Sequence, residues 1–184
     1  VELKITNPDT GASLATGEVG QIEVRGPNIF KGYWQMPEKT AAELRQDGFF
    51  LTGDLGKIDD DGYVHIVGRN KDLIISGGYN IYPKEIELVL DDQPGVLESA
   101  VVGVPHPDFG ETVLGVIVPE KGATPDTDAM MEAVHHSLAR FKHPRKLVVL
   151  AELPRNTMGK VQKNILREQF RDMFAFCRPS LAGA

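Results

Sequence analysis

Apolar and polar residues alternate with a period of two over Val1-Glu2-Leu3-Lys4-Ile5, Gln21-Ile22-Glu23-Val24-Arg25 and Tyr63-Val64-His65-Ile66-Val67. This is the signature of half-buried antiparallel strands. In the second segment Ile22 and Val24 are expected to share a core face, with the polar residues on the other side. Asn7-Pro8-Asp9-Thr10-Gly11, Asp47-Gly48 and Asp59-Asp60-Asp61-Gly62 read as turns. The last of these lacks the further oxygen ligands and terminal Glu of a calcium loop. Phe49-Phe50-Leu51 reads as a short buried strand ending at Thr52-Gly53-Asp54, and Pro37 to Leu44 as a short helix with proline near its start.

The period changes beyond residue 67. Gly68 to Glu87, GRNKDLIISGGYNIYPKEIE, joins a basic turn, the strand Leu73-Ile74-Ile75, a Ser76-Gly77-Gly78 loop and a helix that Pro83 opens. That helix places Ile86, Val89 and Leu90 on one side. Val96 to Val104 and Gly110 to Val118 are apolar, β-branched strands, and Lys146 to Leu150 is a last strand. Asp126 to Phe141 predicts a helix with Met130, Ala133, Val134, Leu138 and Phe141 inward. Lys163 to about Phe176 predicts another, with Leu166, Phe170 and Met173 inward. Arg178 to Ala184 is small and aperiodic and is expected to fray. The pattern predicts an α+β chain: an antiparallel β part, then a small α/β unit whose mixed sheet is flanked by helices.

Composition narrows the function classes. A formal net charge of −6 over 184 residues argues against a dedicated nucleic-acid binder. The lone Cys177 excludes an intramolecular disulfide and fits a reducing compartment, and no apolar run is long enough to span a bilayer. With no recognisable signal peptide at Val1, a cytoplasmic protein is expected. His135 and His136 are adjacent, face different sides of a helix, and have no second His at i+4, so no metal site is expected.

Three ordered stretches resemble motifs of the adenylate-forming superfamily, which comprises acyl-CoA synthetases, peptide-synthetase adenylation domains and luciferases. They are Phe50-Leu51-Thr52-Gly53-Asp54, the stretch Gly68 to Glu87, and Pro154-Arg155-Asn156-Thr157-Met158-Gly159-Lys160. SGGYNIYPKEIE and PRNTMGKVQK are most similar to the malonyl-CoA and methylmalonyl-CoA synthetase branch. The resemblance implies a large N-terminal domain carrying a Thr/Ser/Gly-rich phosphate loop, and no such loop occurs in these residues. Residues 1–70 are then expected to be the last β subdomain of that large domain, 71–176 a C-terminal lid and 177–184 a tail, with the chain inactive by itself.

The resemblance also assigns residues. Asp54 and Arg69 would bind the ribose of ATP, a carboxylate accepting from vicinal hydroxyls and a five-donor fork suiting oxygen acceptors. Lys71 would be the hinge about which the lid turns between two half-reactions, although many relatives carry Asp there. Ser76, Gly77 and Gly78 would line the path of CoA. The cluster Arg140-Phe141-Lys142-His143-Pro144-Arg145-Lys146 is either a solvated face or, through Lys142 and Arg145, a dock for CoA phosphates. Lys160 would be the adenylation lysine, neutralising charge that accumulates when a carboxylate attacks the α-phosphate. As an exposed lysine it is also expected to be a target of protein lysine acetyltransferases and deacetylases.

The function implied is the C-terminal part of an ATP-dependent acid-CoA ligase acting on a small carboxylic acid, malonate or methylmalonate by branch likeness, with Mg²⁺ held mainly by the preceding domain. Two alternatives stay open: an adenylation domain that loads a carrier protein, and a non-catalytic segment that serves as substrate of a lysine acetyltransferase. Nothing in the sequence favours a luciferase-type oxygenase.

Overall fold

A computed structural model of the chain describes residues 1–175. Its backbone divides into two compact units, Val1–Lys71 and a second from Asp72 onward. The expected tail at 177–184, with Cys177, lies outside the described residues, as does Phe176.

The first unit is a four-stranded antiparallel sheet in the order β1 (Glu2–Thr6), β2 (Gly20–Arg25), β3 (Phe50–Ile58), β4 (Val64–Arg69), with helix α1 (Pro37–Glu43) between β2 and β3. Ile5, Ile22, Phe49 and Leu55 form its buried apolar positions. β3 does not end at Thr52-Gly53-Asp54 as the sequence suggested. Its pairing with β2 shifts register here, from Gln21↔Leu55 to Glu23↔Leu51, so the three residues bulge within a strand that continues to Ile58. Thr52 Oγ1 donates to the Ile22 carbonyl (2.9 Å) and Gln21 Nε2 to the Asp54 carbonyl (3.2 Å), which satisfies the displaced backbone.

The alternation in β2 is real, but its polar side is buried too: Glu23 is 0% exposed and Gln21 4%. Ion pairing makes this tolerable. The Glu23 carboxylate accepts from Thr6 Oγ1 and Arg45 Nη2, both at 2.7 Å, with Lys4 Nζ 3.4 Å from its other oxygen. Burial pushes the Glu23 pKa up, but the Thr6 hydroxyl, the Arg45 guanidinium and the Lys4 ammonium outweigh it and hold the carboxyl below its ordinary value. A folded pKa below the unfolded one contributes stability above the unfolded carboxylate pKa and loses it as pH falls through the folded value. Unfolding of the first unit, followed by β2 amide exchange between about pH 6 and pH 3, is therefore expected to steepen on acidification. Glu23→Gln should flatten that dependence while lowering stability at neutral pH; an unchanged slope would remove Glu23 from the account.

The second unit is built on a mixed sheet. β5 (Ile74–Ser76) and β6 (Tyr79–Ile81) form a hairpin; β8 (Gly110–Pro119) lies between β5 and β7 (Val96–His106), antiparallel to both, and pairs in parallel with β9 (Lys146–Val149). β7 and β8 read as continuous apolar runs because both faces are covered. On one face Val101, Val113 and Ile117 pack with Ile86 and Leu90 of α2 (Pro83–Asp91) and with Met130 and Val134 of α3 (Thr127–Ser137). On the other, Val102, Val104, Leu114 and Val116 pack with Leu153 and with Leu166 of α4 (Lys163–Gln169).

β7 is the outer strand of this sheet, and a side chain meets its edge. Glu87 of α2 accepts the Val101 N–H at 2.9 Å and lies 2.5 Å from Lys163 Nζ of α4. Two residues before Val101, Ser99 Oγ donates to Asp91 Oδ1 at 2.6 Å.

Three sequence expectations are corrected in this unit. Helix α3 stops at Ser137 rather than reaching Phe141, because Leu138 turns extended (φ −126°, ψ 155°) and His143 Nε2 bonds its carbonyl at 2.9 Å. Pro144 also disfavours helix at His143. Phe141 therefore sits in a separate turn, Arg140–Lys142, stacked on Tyr79 with ring centroids 4.8 Å apart instead of in the core. Helix α4 stops at Gln169 and turns continue to Ala175. Glu168 and Asp172 place negative charge at its C-terminal end, where the helix dipole disfavours it. Phe170 and Met173 still pack against the core. Finally, Ser76-Gly77-Gly78 is no open loop. Gly77 (φ 56°) and Gly78 (φ 83°) are the two central residues of a tight hairpin turn, and that backbone requires glycine.

Candidate functional site

In the first unit Asp54 and Arg69 face each other across β3 and β4, paired in register, with Arg69 Nε 3.3 Å from Asp54 Oδ1. Both side chains are partly exposed. The carboxylate keeps one oxygen, and the guanidinium most of its donors, for an outside group such as a diol. The strand bulge aims Asp54: its N–H donates to Thr52 Oγ1 at 3.1 Å, one residue before the register resumes. Lys71, exposed in the turn Asn70–Asp72, is the last residue of this unit. Asp72, the first of the next, accepts from Arg167 Nη2 of α4 at 2.8 Å.

In the second unit the Gly77-Gly78 turn and the basic cluster meet. A groove of about 620 Å³ is lined by Ser76, Gly77, Tyr79, Phe109, Arg140 and Arg145 among others. Its floor is tight at Gly77, where an added Cβ would lie 3.2 Å from Phe109 Cδ1. The Arg145 guanidinium lies 4.8 Å from the centroid of the Phe109 ring, and the Tyr79–Phe141 stack closes one wall. Two lining arginines, one of them against an aromatic face, suit a group with both anionic oxygens and a planar ring. Lys142 is not among the lining residues; its Nζ is 2.6 Å from Glu85 Oε2. Sequence reasoning missed Tyr79 and Phe109. The pattern Ile-Ile-Ser-Gly-Gly-Tyr-Asn-Ile, apolar and β-branched around a two-residue glycine turn, carried the hairpin that places Tyr79. Nothing local marked Phe109.

Lys160 stands at the end of a closed turn. Arg155 and Val161 pair as a bridge, Asn156 N–H donates to the Lys160 carbonyl (2.9 Å), and Asn156 Oδ1 accepts from the N–H groups of Met158 (3.0 Å) and Lys160 (2.9 Å). Gly159 takes φ 76°, which lets its N–H donate to the Asn156 carbonyl at 2.9 Å. The backbone of Lys160 is thus fixed at both its N–H and its carbonyl. Its ammonium makes no hydrogen bond or ion pair among the described residues. The two groups of residues, Asp54 with Arg69 and the lysine with the groove, belong to different units.

Among the described residues no group of three or more His, Cys, Asp or Glu side chains is placed to hold a metal ion. No helix among them is long and apolar enough to cross a membrane.

Residues 85–160 match the family described as AMP-binding enzyme C-terminal domain. The chain is 44% identical, over 92% of its length, to a putative acyl-CoA ligase, YdaB, of Bacillus subtilis (strain 168), and it covers 33% of that protein. It is also 44% identical over 92% of its length to a feruloyl-CoA synthase of Amycolatopsis, covering 34% of it. Among solved structures, ATP-bound MatB from Rhodopseudomonas palustris superposes with a TM-score of 0.88 at 59% identity, over 94% of this chain and 34% of that one. The chain therefore spans about a third of the length of the curated relatives it matches. On these matches, residues 85–160 are similar to an AMP-binding enzyme C-terminal domain, and the chain over most of its length is similar to about one third of the length of acyl-CoA ligases.

Proposed function

We propose that this chain is the C-terminal part of an acid-CoA ligase, in which Lys160 serves adenylate formation and the groove beside Gly77 receives CoA. The observation that carries the reading is the Lys160 loop: a lysine whose backbone is fixed by Asn156 while its ammonium is left without an internal partner. Preorganised charge of this kind is what an anionic reaction centre needs, since it costs no reorganisation during reaction. Asp54 and Arg69 would grip the ribose of a nucleotide.

The second step follows from the groove. CoA ends in a phosphorylated nucleotide and carries a slender thiol arm. Arg140 and Arg145 supply cations for the phosphates, Tyr79, Phe109 and Phe141 supply aromatic faces, and the side-chain-free Gly77-Gly78 turn lets the arm pass close to backbone. These features favour free CoA over a carrier protein, whose tethered arm has no nucleotide. The acid is proposed to be malonate or methylmalonate, supported by the likeness of SGGYNIYPKEIE and PRNTMGKVQK to that branch and by the identity to MatB. The curated relatives are named for diverse acids, a feruloyl-CoA synthase among them. A cytoplasmic setting fits the single cysteine and the CoA chemistry.

Joining this chain to the preceding portion of MatB gives a protein in which both half-reactions are measurable. Arg145→Glu is expected to raise the KM for CoA roughly tenfold or more, the reversal of one contact charge, with pyrophosphate release unchanged. A CoA KM that does not move would exclude the groove as the CoA site.

A further inference from the structure

No backbone N–H of the Lys160 turn meets the carbonyl of Gly159, and the Arg155 side chain takes it. Arg155 Nη1 donates to that oxygen at 2.7 Å, while Nη2 of the same guanidinium is ion-paired with Glu98 of β7. The planar fork thus ties the peptide immediately before Lys160 to the sheet. Every other bond of the turn is local: Asn156 bonds Met158, Gly159 and Lys160, all within the loop. Arg155 and Glu98, 57 positions apart, supply the bonded link by which the turn's orientation is fixed to the body of the unit.

Magnitudes decide what such a link is for. The two side chains are 42% and 28% exposed, and ion pairs so placed add little to folding stability. Geometry is a different matter. The Gly159–Lys160 peptide follows a glycine at φ 76°, the residue type with the fewest barriers to peptide rotation, and the fork pins the carbonyl of that peptide. Displacing a charged group by about 1 Å from its working position costs about 100-fold in rate.

We propose that Arg155, held by Glu98, is a positioning residue that sets where the Lys160 ammonium stands during adenylate formation. This rests on the reading of Lys160 given above. Arg is required because two donors in one plane must serve two acceptors; the lysine ammonium has no such fixed fork.

In the joined ligase Arg155→Met should lower the rate of pyrophosphate release roughly 10- to 100-fold at saturating ATP and acid. The KM for the acid and the rate of thioester formation from supplied acyl-adenylate should stay within about twofold. Arg155→Lys should recover only part of the loss, and Glu98→Gln should give an intermediate one. In the 184-residue chain itself, Arg155→Met should speed amide exchange at Met158 and Lys160 without changing exchange in β7 or the unfolding midpoint. Equal loss in both half-reactions, or a lowered midpoint, would make Arg155 a structural residue and overturn the proposal. So would full pyrophosphate release by Arg155→Met while Lys160→Ala abolishes it, and that result would leave the proposed function standing. Unimpaired pyrophosphate release by Lys160→Ala would remove both.

Discussion

Lys160→Ala is expected to slow pyrophosphate release from ATP and acid by about 10²- to 10³-fold, the usual cost of removing one preorganised charge from a polar transition state. The loss should fall on the rate rather than on the KM for ATP, because the function proposed assigns ribose binding to Asp54 and Arg69. Thioester formation from supplied acyl-adenylate should proceed, since no charge of that kind develops at phosphorus in the second step. Two features of the loop make the variant informative. The Lys160 backbone is held by Asn156 rather than by its own side chain, so truncation leaves the turn in place. The ammonium has no internal partner among the described residues, so folding loses nothing with it. We propose that the same exposure opens Lys160 to acetylation, which would delete its charge without altering the loop. Incubation with acetyl-CoA and a protein lysine acetyltransferase, followed by mass spectrometry, should find the mark on Lys160 and a matching loss of the first step that a deacetylase reverses. Retention of full pyrophosphate release by either form would place the first half-reaction on other residues.

Glu87→Ala should destabilise the second unit by about 3 kcal/mol or more, the range seen when one partner of a buried ion pair is removed. Glu87 is 7% exposed and serves two donors, the Val101 N–H and the Lys163 ammonium. Its loss leaves an outer-strand N–H and a largely covered cation unmet together, and the second is the costlier. Glu87→Gln should cost less, because the amide oxygen still accepts from Val101. Denaturant unfolding measures both, and a Glu87→Ala midpoint equal to that of the unaltered chain would mean that water replaces the carboxylate without penalty. The pair also links α2 to α4, the helix that begins three residues after Lys160, so partial unfolding should appear first in amide exchange of α4.

Much of the fold was readable because both sheets announce themselves by period. Strict alternation marked β1, β2 and β4, and the unbroken apolar runs of β7 and β8 marked strands covered on two sides. What alternation does not carry is how a polar face is used: Glu23 looked like a solvent-facing residue and proved to be a buried one, because its partners come from two separate segments, Lys4 and Thr6 from β1 and Arg45 from the stretch after α1. Helix ends were misjudged where tertiary contacts overrode periodicity. Phe141 has helical spacing from Val134 and Leu138, yet its ring stacks on Tyr79, a hairpin residue 62 positions earlier. For the candidate site, the motifs marked Asp54, Arg69, Ser76, Gly77, Gly78 and Lys160 by resemblance, and the local run of basic charge marked Lys142 and Arg145, of which only Arg145 lines the groove. The strand register that sets Asp54 opposite Arg69, and the groove that joins Gly77 to Arg145, are matters of pairing between distant segments. Phe109 and the Arg155–Glu98 link were invisible for the same reason.

The ion pair between Asp72 and Arg167 has a mechanical consequence. Asp72 is the first residue beyond Lys71, Arg167 lies on α4, and α4 opens directly after the loop of Lys160. On the function proposed, a rotation at Lys71 would reach the lysine by a short path, through the Asp72 carboxylate, the Arg167 guanidinium and a turn of helix. The start of the second unit and the loop of Lys160 are thus tied to each other through α4.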